Sequence, residues 1–183
     1  MSAPYPTIKA CKGVYEPAED SFLLEDAVIE YASGRFLDMG TGSGIQGIAA
    51  AKKGCNVVFA DINNRALECA RNNAELNGVK GEFVKSDMFK NIKGLFNTIA
   101  FNPPYLASKG KPNEIALDGG KMGRELIDLF ICEFRKHLYD GGIALLLESS
   151  INKYEHDAER QGASIIRRRK FFFEEIVVIK FVK

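Results

Sequence analysis

The sequence predicts an α/β domain: a seven-stranded, mostly parallel sheet with helices on both faces and a C-terminal antiparallel hairpin. Three observations lead there. Short apolar runs of strand length alternate with segments of helical period along most of the chain. A glycine-rich turn, Gly40–Gly44, separates the first such run from the helix that follows it. The last two runs are joined by a turn too short for a crossover, so they pair antiparallel.

Asp20–Tyr31 carries Phe22, Leu23, Ala27, Val28 and Tyr31 at helical spacing, and the Asp20-Ser21 pair suits a helix start. Arg35–Asp38 is a short strand, and Ile45–Lys52 is the helix beyond the glycine turn. Asn56–Ala60 reads as a buried strand ending at Asp61, and Arg65–Leu76 as a helix stopped by Asn77-Gly78. Gly81–Lys85 and Phe96–Phe101 are the third and fourth strands. A proline-broken loop runs from Asn102 to about Gly120, followed by an amphipathic helix over Arg124–Leu138. Ile143–Leu147 is a nearly all-apolar strand and Asn152–Gln161 a helix; Ala163–Lys170 and Glu175–Val182 form the closing hairpin.

With no internal repeat, low-complexity tract or linker, residues 1–183 read as a single domain. Apolar residues, at 46%, are enough for a core, and the 27% charged residues suit a solvated surface. A net charge of +1 argues against strong nucleic-acid binding, which normally needs a marked basic excess. The one dense basic run, Arg167–Lys170, is read as a solvated face, with an RNA contact as the alternative. No stretch approaches the roughly 20 apolar residues that span a bilayer, and Met1–Lys12 carries no secretory signal. Cys11, Cys55, Cys69 and Cys132 lie far apart, with no C-x-x-C and no nearby histidine. That spacing fits neither a zinc site nor a small disulfide framework, and points to a reduced, cytoplasmic protein without a metal. His137 and His156 are isolated, and Phe171–Phe173 are assigned to the hairpin and to core packing, with room for one exposed ring.

The segment Leu37-Asp38-Met39-Gly40-Thr41-Gly42-Ser43-Gly44 follows a strand and opens a helix. In that context glycines let a ligand approach the backbone, and the helix N-terminus offers free N–H groups. A dinucleotide fingerprint would read G-x-G-x-x-G with the pyrophosphate on the helix end. Here the glycines run G-x-G-x-G, and Asp38 stands two residues before the first. A carboxylate there repels a pyrophosphate but attracts the ammonium of a methionine moiety, so the charge favours S-adenosylmethionine. Asp61 ends the second strand, 21 residues after Gly40, where a carboxylate can accept from both ribose hydroxyls. Its competing reading is a helix cap near Asn63. Asp87, after the third strand, can accept from an adenine amino group while Met88 packs on the ring, or it can cap a turn. Three acids at three successive strand ends point to one ligand.

Strand four ends in Asn102-Pro103-Pro104-Tyr105. Two prolines fix the backbone, remove two N–H donors and push Asn102 out of helical geometry. The Asn102 side-chain oxygen and the Pro103 carbonyl are left as rigid acceptors for the two hydrogens of an NH2 group. Tyr105 offers a flat face for a planar amide or base. Methyl transfer from a sulfonium is a displacement that rests largely on positioning, so no histidine or cysteine is required.

Asn102–Tyr105 resembles the N-P-P-Y signature shared by amino-directed DNA methyltransferases and HemK-like protein glutamine methyltransferases. Val14-Tyr15-Glu16-Pro17-Ala18-Glu19-Asp20-Ser21-Phe22-Leu23-Leu24 is similar to the N-terminal motif of the short HemK-related branch. That branch methylates the glutamine of the Gly-Gly-Gln loop in class 1 release factors of archaea and eukaryotes. Leu117-Asp118-Gly119-Gly120-Lys121-Met122-Gly123-Arg124-Glu125 resembles the branch's loop after the catalytic motif. The resemblance implies a Rossmann-like S-adenosylmethionine-dependent methyltransferase, for which the closing hairpin is the distinguishing departure from a dinucleotide-binding sheet. It also implies roles. Ser21 would sit near the methionine carboxylate, and Asp38, Gly40, Gly42, Gly44, Asp61, Asp87, Met88 and Asn102 on the cofactor. Asn102, Pro103, Pro104 and Tyr105 would hold the substrate amide, with Tyr15 and Glu16 shaping the mouth.

Bacterial members carry a helical domain before the catalytic one; about 35 residues precede the first strand here, so that domain is expected to be absent. Release-factor recognition would then fall to this domain's own loops or to another protein. The short branch often works with a small zinc-binding activator subunit that adds a strand beside the third one. Gly81–Phe89 would be that exposed edge, unless Glu82 and Lys85 blunt it. The competing acceptors are an adenine N6 amino group and a protein lysine; a non-catalytic cofactor-binding subunit and a nicotinamide oxidoreductase are the other classes. Near-neutral net charge weighs against the first, and lysine's charge at pH 7 against the second. The two preset acceptors weigh against a non-catalytic subunit, and the glycine spacing against an oxidoreductase.

Overall fold

Strands that are apolar on both faces need helices above and below them, and this chain supplies both layers. The computed structural model describes residues 5–104 and 124–183. In chain order the elements are α1 (Glu19–Tyr31), β1 (Arg35–Met39), α2 (Ile45–Lys52), β2 (Asn56–Asp61), α3 (Asn64–Leu76), β3 (Gly81–Lys85) and β4 (Phe96–Phe101). Then come α4 (Glu125–Glu133), β5 (Leu138–Ser149), α5 (Tyr154–Gln161), β6 (Ser164–Lys170) and β7 (Glu175–Val182). Seven strands lie in the order β3-β2-β1-β4-β5-β7-β6. The first five in that order are parallel, and β7 runs antiparallel to both β5 and β6. The fold class read from the sequence is the one observed.

The two-residue period of each strand sorts side chains between two cores. Leu37, Met39, Ile99, Phe101 and Leu146 face Ile127 and Phe130 of α4 and Ala158 of α5. Phe36, Phe59, Ala100, Leu145 and Leu147 face Leu24 and Val28 of α1, Ile48 of α2 and Ala70 of α3. Between β1 and β4 the strand order reverses, and at such a switch point the carboxyl ends of the strands part to leave a crevice.

Four local expectations are corrected. The helix expected over Arg124–Leu138 ends at Glu133; Phe134–His137 tightens to a 3-10 turn and Leu138 already pairs with Phe96. The helix expected from Asn152 starts at Tyr154, because Lys153 adopts a left-handed conformation with φ 61° after a 3-10 turn. Phe172 and Phe173 are 91% and 90% exposed and Phe171 is half-exposed, so the triplet belongs to the hairpin tip rather than the core. Cys11 and Cys69 are joined in a disulfide, against the expectation of four reduced thiols. An N-terminal arm brings Cys11 to α3: Thr7 and Lys9 donate backbone N–H groups to the side-chain oxygens of Asn77 and Asn73, at 2.9 and 3.0 Å. Those amides donate back to the Thr7 and Lys9 carbonyls at 2.8 and 3.1 Å. Among the described residues no helix is long and apolar enough to cross a membrane.

Candidate active site

At the switch point the strand tips open on a cavity of about 400 Å³. Asp87, Asp61, Asp38 and Asn102 reach it from four adjacent strand ends, in the spatial order β3, β2, β1, β4. Ser21, Gly40, Gly42, Met88, Pro103 and Pro104 also line it. The loop after β1 turns on Gly40 and Gly42, at φ 62° and 53°, values that side-chain-bearing residues adopt only with strain.

Asp38 is buried, and its Oδ2 accepts from Thr41 Oγ1 at 2.6 Å and from the Gly47 N–H at 2.9 Å. Burial pushes its carboxyl up to about 7, against those two hydrogen bonds, with the Asp61 charge adding to the rise. Asp61 accepts from Gly42 N–H at 3.1 Å and from Asn63 N–H at 2.8 Å. The cap of α3 is Asn63, whose oxygen accepts from Arg65 N–H at 3.0 Å, so Asp61 is free of that duty. Burial raises Asp61 as well. At the β3 tip Asp87 pairs with Lys90 at 2.5 Å. Met88 follows it with φ 48°, and the Ser86 hydroxyl fixes this bend by donating to the Met88 carbonyl at 2.6 Å.

Asn102 forms the opposite wall. Its Nδ2 donates to Asp20 Oδ2 at 3.1 Å and to Ser21 Oγ at 3.5 Å. Its Oδ1 is buried and has no hydrogen-bond partner among the described residues. A buried acceptor left open in this way costs free energy unless something donates to it. Asp20 is itself held: its Oδ1 accepts from Tyr15 Oη at 3.0 Å and from Ser21 N–H at 2.7 Å. Tyr15 is raised well above the ordinary tyrosine range by burial and by the Asp20 charge.

Asp20 lies in the first turn of α1, as the sequence leads one to expect, but α1 begins at Glu19 without a side-chain cap and the Asp20 carboxylate turns to Asn102, a role the sequence does not show. Gln46 was not singled out at all. It lines the cavity, donates to the Ser21 carbonyl at 2.9 Å and keeps a buried, unpartnered Oε1. Gly44 is the assigned residue that the cavity does not include; a Cβ there would lie 3.1 Å from Ala70, so its absence lets α2 approach α3. Tyr105, and Leu117–Gly123 of the resembling loop, lie outside the described residues. Tyr15 lines the cavity, whereas Glu16 lines a separate pocket with Tyr5, Pro6 and Phe22.

Two open acceptors, Asn102 Oδ1 and Gln46 Oε1, with carboxylates on three neighbouring tips suit a ligand that carries an ammonium, ribose hydroxyls and amino donors. The residues present therefore fit S-adenosylmethionine.

The methyltransferase small domain profile matches residues 15–161. A Methanocaldococcus jannaschii protein, provisionally named a protein N5-glutamine methyltransferase, is 40% identical over 177 residues, covering 91% of this chain and 90% of its own. Ribosomal RNA small subunit methyltransferase C of Pseudoalteromonas atlantica is 29% identical over 166 residues, but this chain spans only 45% of its length. Among solved structures, the E. cuniculi Mtq2–Trm112 complex, described as responsible for methylating the translation termination factor eRF1, superposes with a TM-score of 0.74 at 31% identity. That match covers 93% of this chain and 99% of the other.

Proposed function

The chain belongs to the methyltransferase small domain family and, within it, to the HemK-related glutamine methyltransferases, and on that premise we propose that it methylates the glutamine amide of the Gly-Gly-Gln loop of a class 1 release factor. One observation carries the proposal: Asn102 offers a buried, open oxygen whose orientation Asp20 and Ser21 fix through the amide nitrogen. S-adenosylmethionine, when bound, supplies a methyl group on a positively charged sulfur. Asp38 would hold its ammonium, Asp61 its ribose hydroxyls, Asp87 and Met88 its adenine, and Ser21 would lie near its carboxylate. Asn102 Oδ1 and the Pro103 carbonyl accept the two hydrogens of the substrate amide and so aim its nitrogen. Pro104 brings no N–H to compete for either acceptor. The same two oxygens favour positive charge developing on that nitrogen, an effect that needs no rearrangement during the reaction. Tyr105 is assigned the flat face against which the amide stacks.

The test is incubation with labelled S-adenosylmethionine and, separately, a class 1 release factor, the same factor with its Gly-Gly-Gln changed to Gly-Gly-Ala, and ribosomal RNA. A gain of one methyl on the glutamine-bearing peptide alone supports the proposal. Label on RNA alone would favour an exocyclic base amine as acceptor, the reading to which the likeness to the ribosomal RNA enzyme lends support.

A small activator subunit, zinc-binding as the family resemblance implies, is assigned to the β3 edge. Among the described residues β3 pairs only with β2, and an unpaired edge accepts an added strand. A chain that is monodisperse and fully active alone would remove the need for that subunit. The work is assigned to the cytoplasm, where the substrate is.

A further inference from the structure

We infer that the tip of the β6–β7 hairpin, Phe171–Phe173, together with Ile151, is a docking site for the protein that delivers the acceptor glutamine; this rests on the functional reading above. Phe172 and Phe173 are the two most exposed large apolar side chains among the described residues, and Ile151 is 56% exposed. Contiguous apolar side chains held out in water mark interaction surfaces, and aromatic residues are enriched at protein interfaces. The tip is also built rather than loose. Phe171 N–H donates to the Glu174 carbonyl at 2.7 Å, Ser149 Oγ to Glu174 Oε1 at 2.6 Å, and Glu175 N–H to Ser150 Oγ at 3.1 Å. The last two bonds tie it to the turn that carries Ile151.

Its place in the sheet argues for the substrate. β7 runs antiparallel to β5, so its first residues stand beside the last of β5, with Ile176 opposite Ser149. Phe101 pairs with Leu146, so Asn102 leaves the sheet at that same edge. β7 is two strands from β4, about 10 Å at the usual strand spacing. Phe173 precedes Val178, the partner of Leu147, by five residues, which is roughly 16 Å of extended chain. A round patch of the ~800 Å² that one side of an ordinary protein interface covers is roughly 30 Å across, so both distances fit within it.

Charge narrows the partner to a protein. Arg167 pairs with Glu30, Arg168 with Glu175, Arg169 with Glu19, and Lys170 lies 4.0 Å from Glu175. Those four cations face three carboxylates, Glu175 serving two of them, so the basic run behind the tip keeps about one uncompensated charge, whereas a nucleic acid or an anionic lipid surface would call for several free cations. The Asn102 corner reads a single NH2 group, so choosing one glutamine among many must draw on contacts away from it.

The experiment compares the wild-type chain with Phe172→Ser/Phe173→Ser on two substrates, an intact class 1 release factor and a short peptide spanning Gly-Gly-Gln. The expected result is a loss of at least about tenfold in kcat/KM on the intact factor, carried by KM, with the peptide unaffected and Phe172→Tyr/Phe173→Tyr restoring most of the loss. Equal loss on both substrates, or no loss on either, overturns the docking site. So does a wild-type dimer that the substitutions convert to monomer in sedimentation, which would assign the patch to a second copy. If the wild-type chain methylates neither substrate, alone or with a small activator subunit added, the functional reading itself fails and the docking assignment goes with it.

Discussion

Burial holds the Asp38 carboxyl at about 7, and the sign of that shift fixes how cofactor binding depends on pH. A raised native pKa means that the folded chain binds this proton more tightly than the unfolded one. The corresponding stability is complete below the ordinary aspartate value and is lost as pH rises through about 7. An ammonium partner needs the ionised form, so binding S-adenosylmethionine must expel the proton wherever it is still present. Affinity should rise about tenfold between roughly pH 6 and pH 8 and then level off, with proton release seen by calorimetry in buffers of different ionisation enthalpy. Affinity that is flat over that range, with no proton released, would remove Asp38 from the ammonium. The second residue-scale expectation concerns Asp20. Asp20→Ala frees the Asn102 amide to turn its donor end toward the substrate, so kcat should fall by about 10²-fold, while cofactor affinity, measured by calorimetry, changes only a few fold. Unchanged kcat would show that Asn102 is oriented by something else. Asp38, Asp61 and Asn102 were legible in the sequence because each sits at a strand end next to a turn signal. The Asp20 role was not: 82 residues separate it from Asn102, and only the fold brings α1 to the tip of β4. Gln46 was hidden in the same way, since the first six residues of α2 are all buried and nothing in the sequence marks which of them faces the cavity.

Elements meet at one buried ionic cluster. Arg124, just before α4, grips Asp157 of α5 through two bonds of 2.6 and 3.1 Å and lies 3.9 Å from Glu148 of β5. Burial, and then the nearby Asp157 charge, push Glu148 up to about 9. The native state therefore favours protonated Glu148. The stability this provides is full below the ordinary glutamate value and fades as pH climbs toward 9. Asp38 and Glu25, both raised to about 7, are half ionised at pH 7 and almost fully so by about pH 8, so the part of the window above about pH 8 belongs to Glu148. The melting temperature should decline between about pH 7 and pH 9 in the wild type, and Glu148→Gln should flatten that decline. A decline of the same slope in the variant would assign it to another group. Arg124 also marks where sequence periodicity misled. Ile127, Phe130, Phe134 and Leu138 continue one helical face and all four are buried, so the pattern reads as a single helix to Leu138. The backbone instead tightens at Phe134 and reaches Leu138 as strand, because Leu138 must pair with Phe96. Burial was legible in that segment, but conformation was not, since a buried apolar residue satisfies either period.

For the whole molecule, alternation of strand-length and helix-period segments was enough to give a mostly parallel sheet with helices on both faces; the closing hairpin drew on family resemblance as well, and the strand order that opens the crevice between β1 and β4 is known from the structure. What alternation cannot show is how a segment without period attaches, and Thr7–Cys11 is such a segment. It is held by Asn73 and Asn77, whose amides imitate a neighbouring strand by accepting from and donating to its backbone, and by the Cys11–Cys69 bond. Spacing alone gave no reason to pair two cysteines 58 residues apart, because the contact depends on where α3 lies. The arm matters to the site, since Val14 and Tyr15 follow directly and line the cavity. Closing a loop of 58 residues restricts the unfolded chain by about 4 kcal/mol in the chain-entropy account. For a protein of this size that corresponds to a fall of roughly 10 °C in melting temperature on reduction. Cys11→Ser should melt at the temperature of the reduced wild type and respond no further to reductant. Thiol counting gives an independent check: unfolded without reductant, the chain should expose Cys55 and Cys132 only, and after reduction all four cysteines. Four reactive thiols before reduction, with a melting temperature indifferent to reductant, would mean that the arm is held by the asparagine amides alone. The positioning of Tyr15 against Asp20 would then have to come from α1 itself.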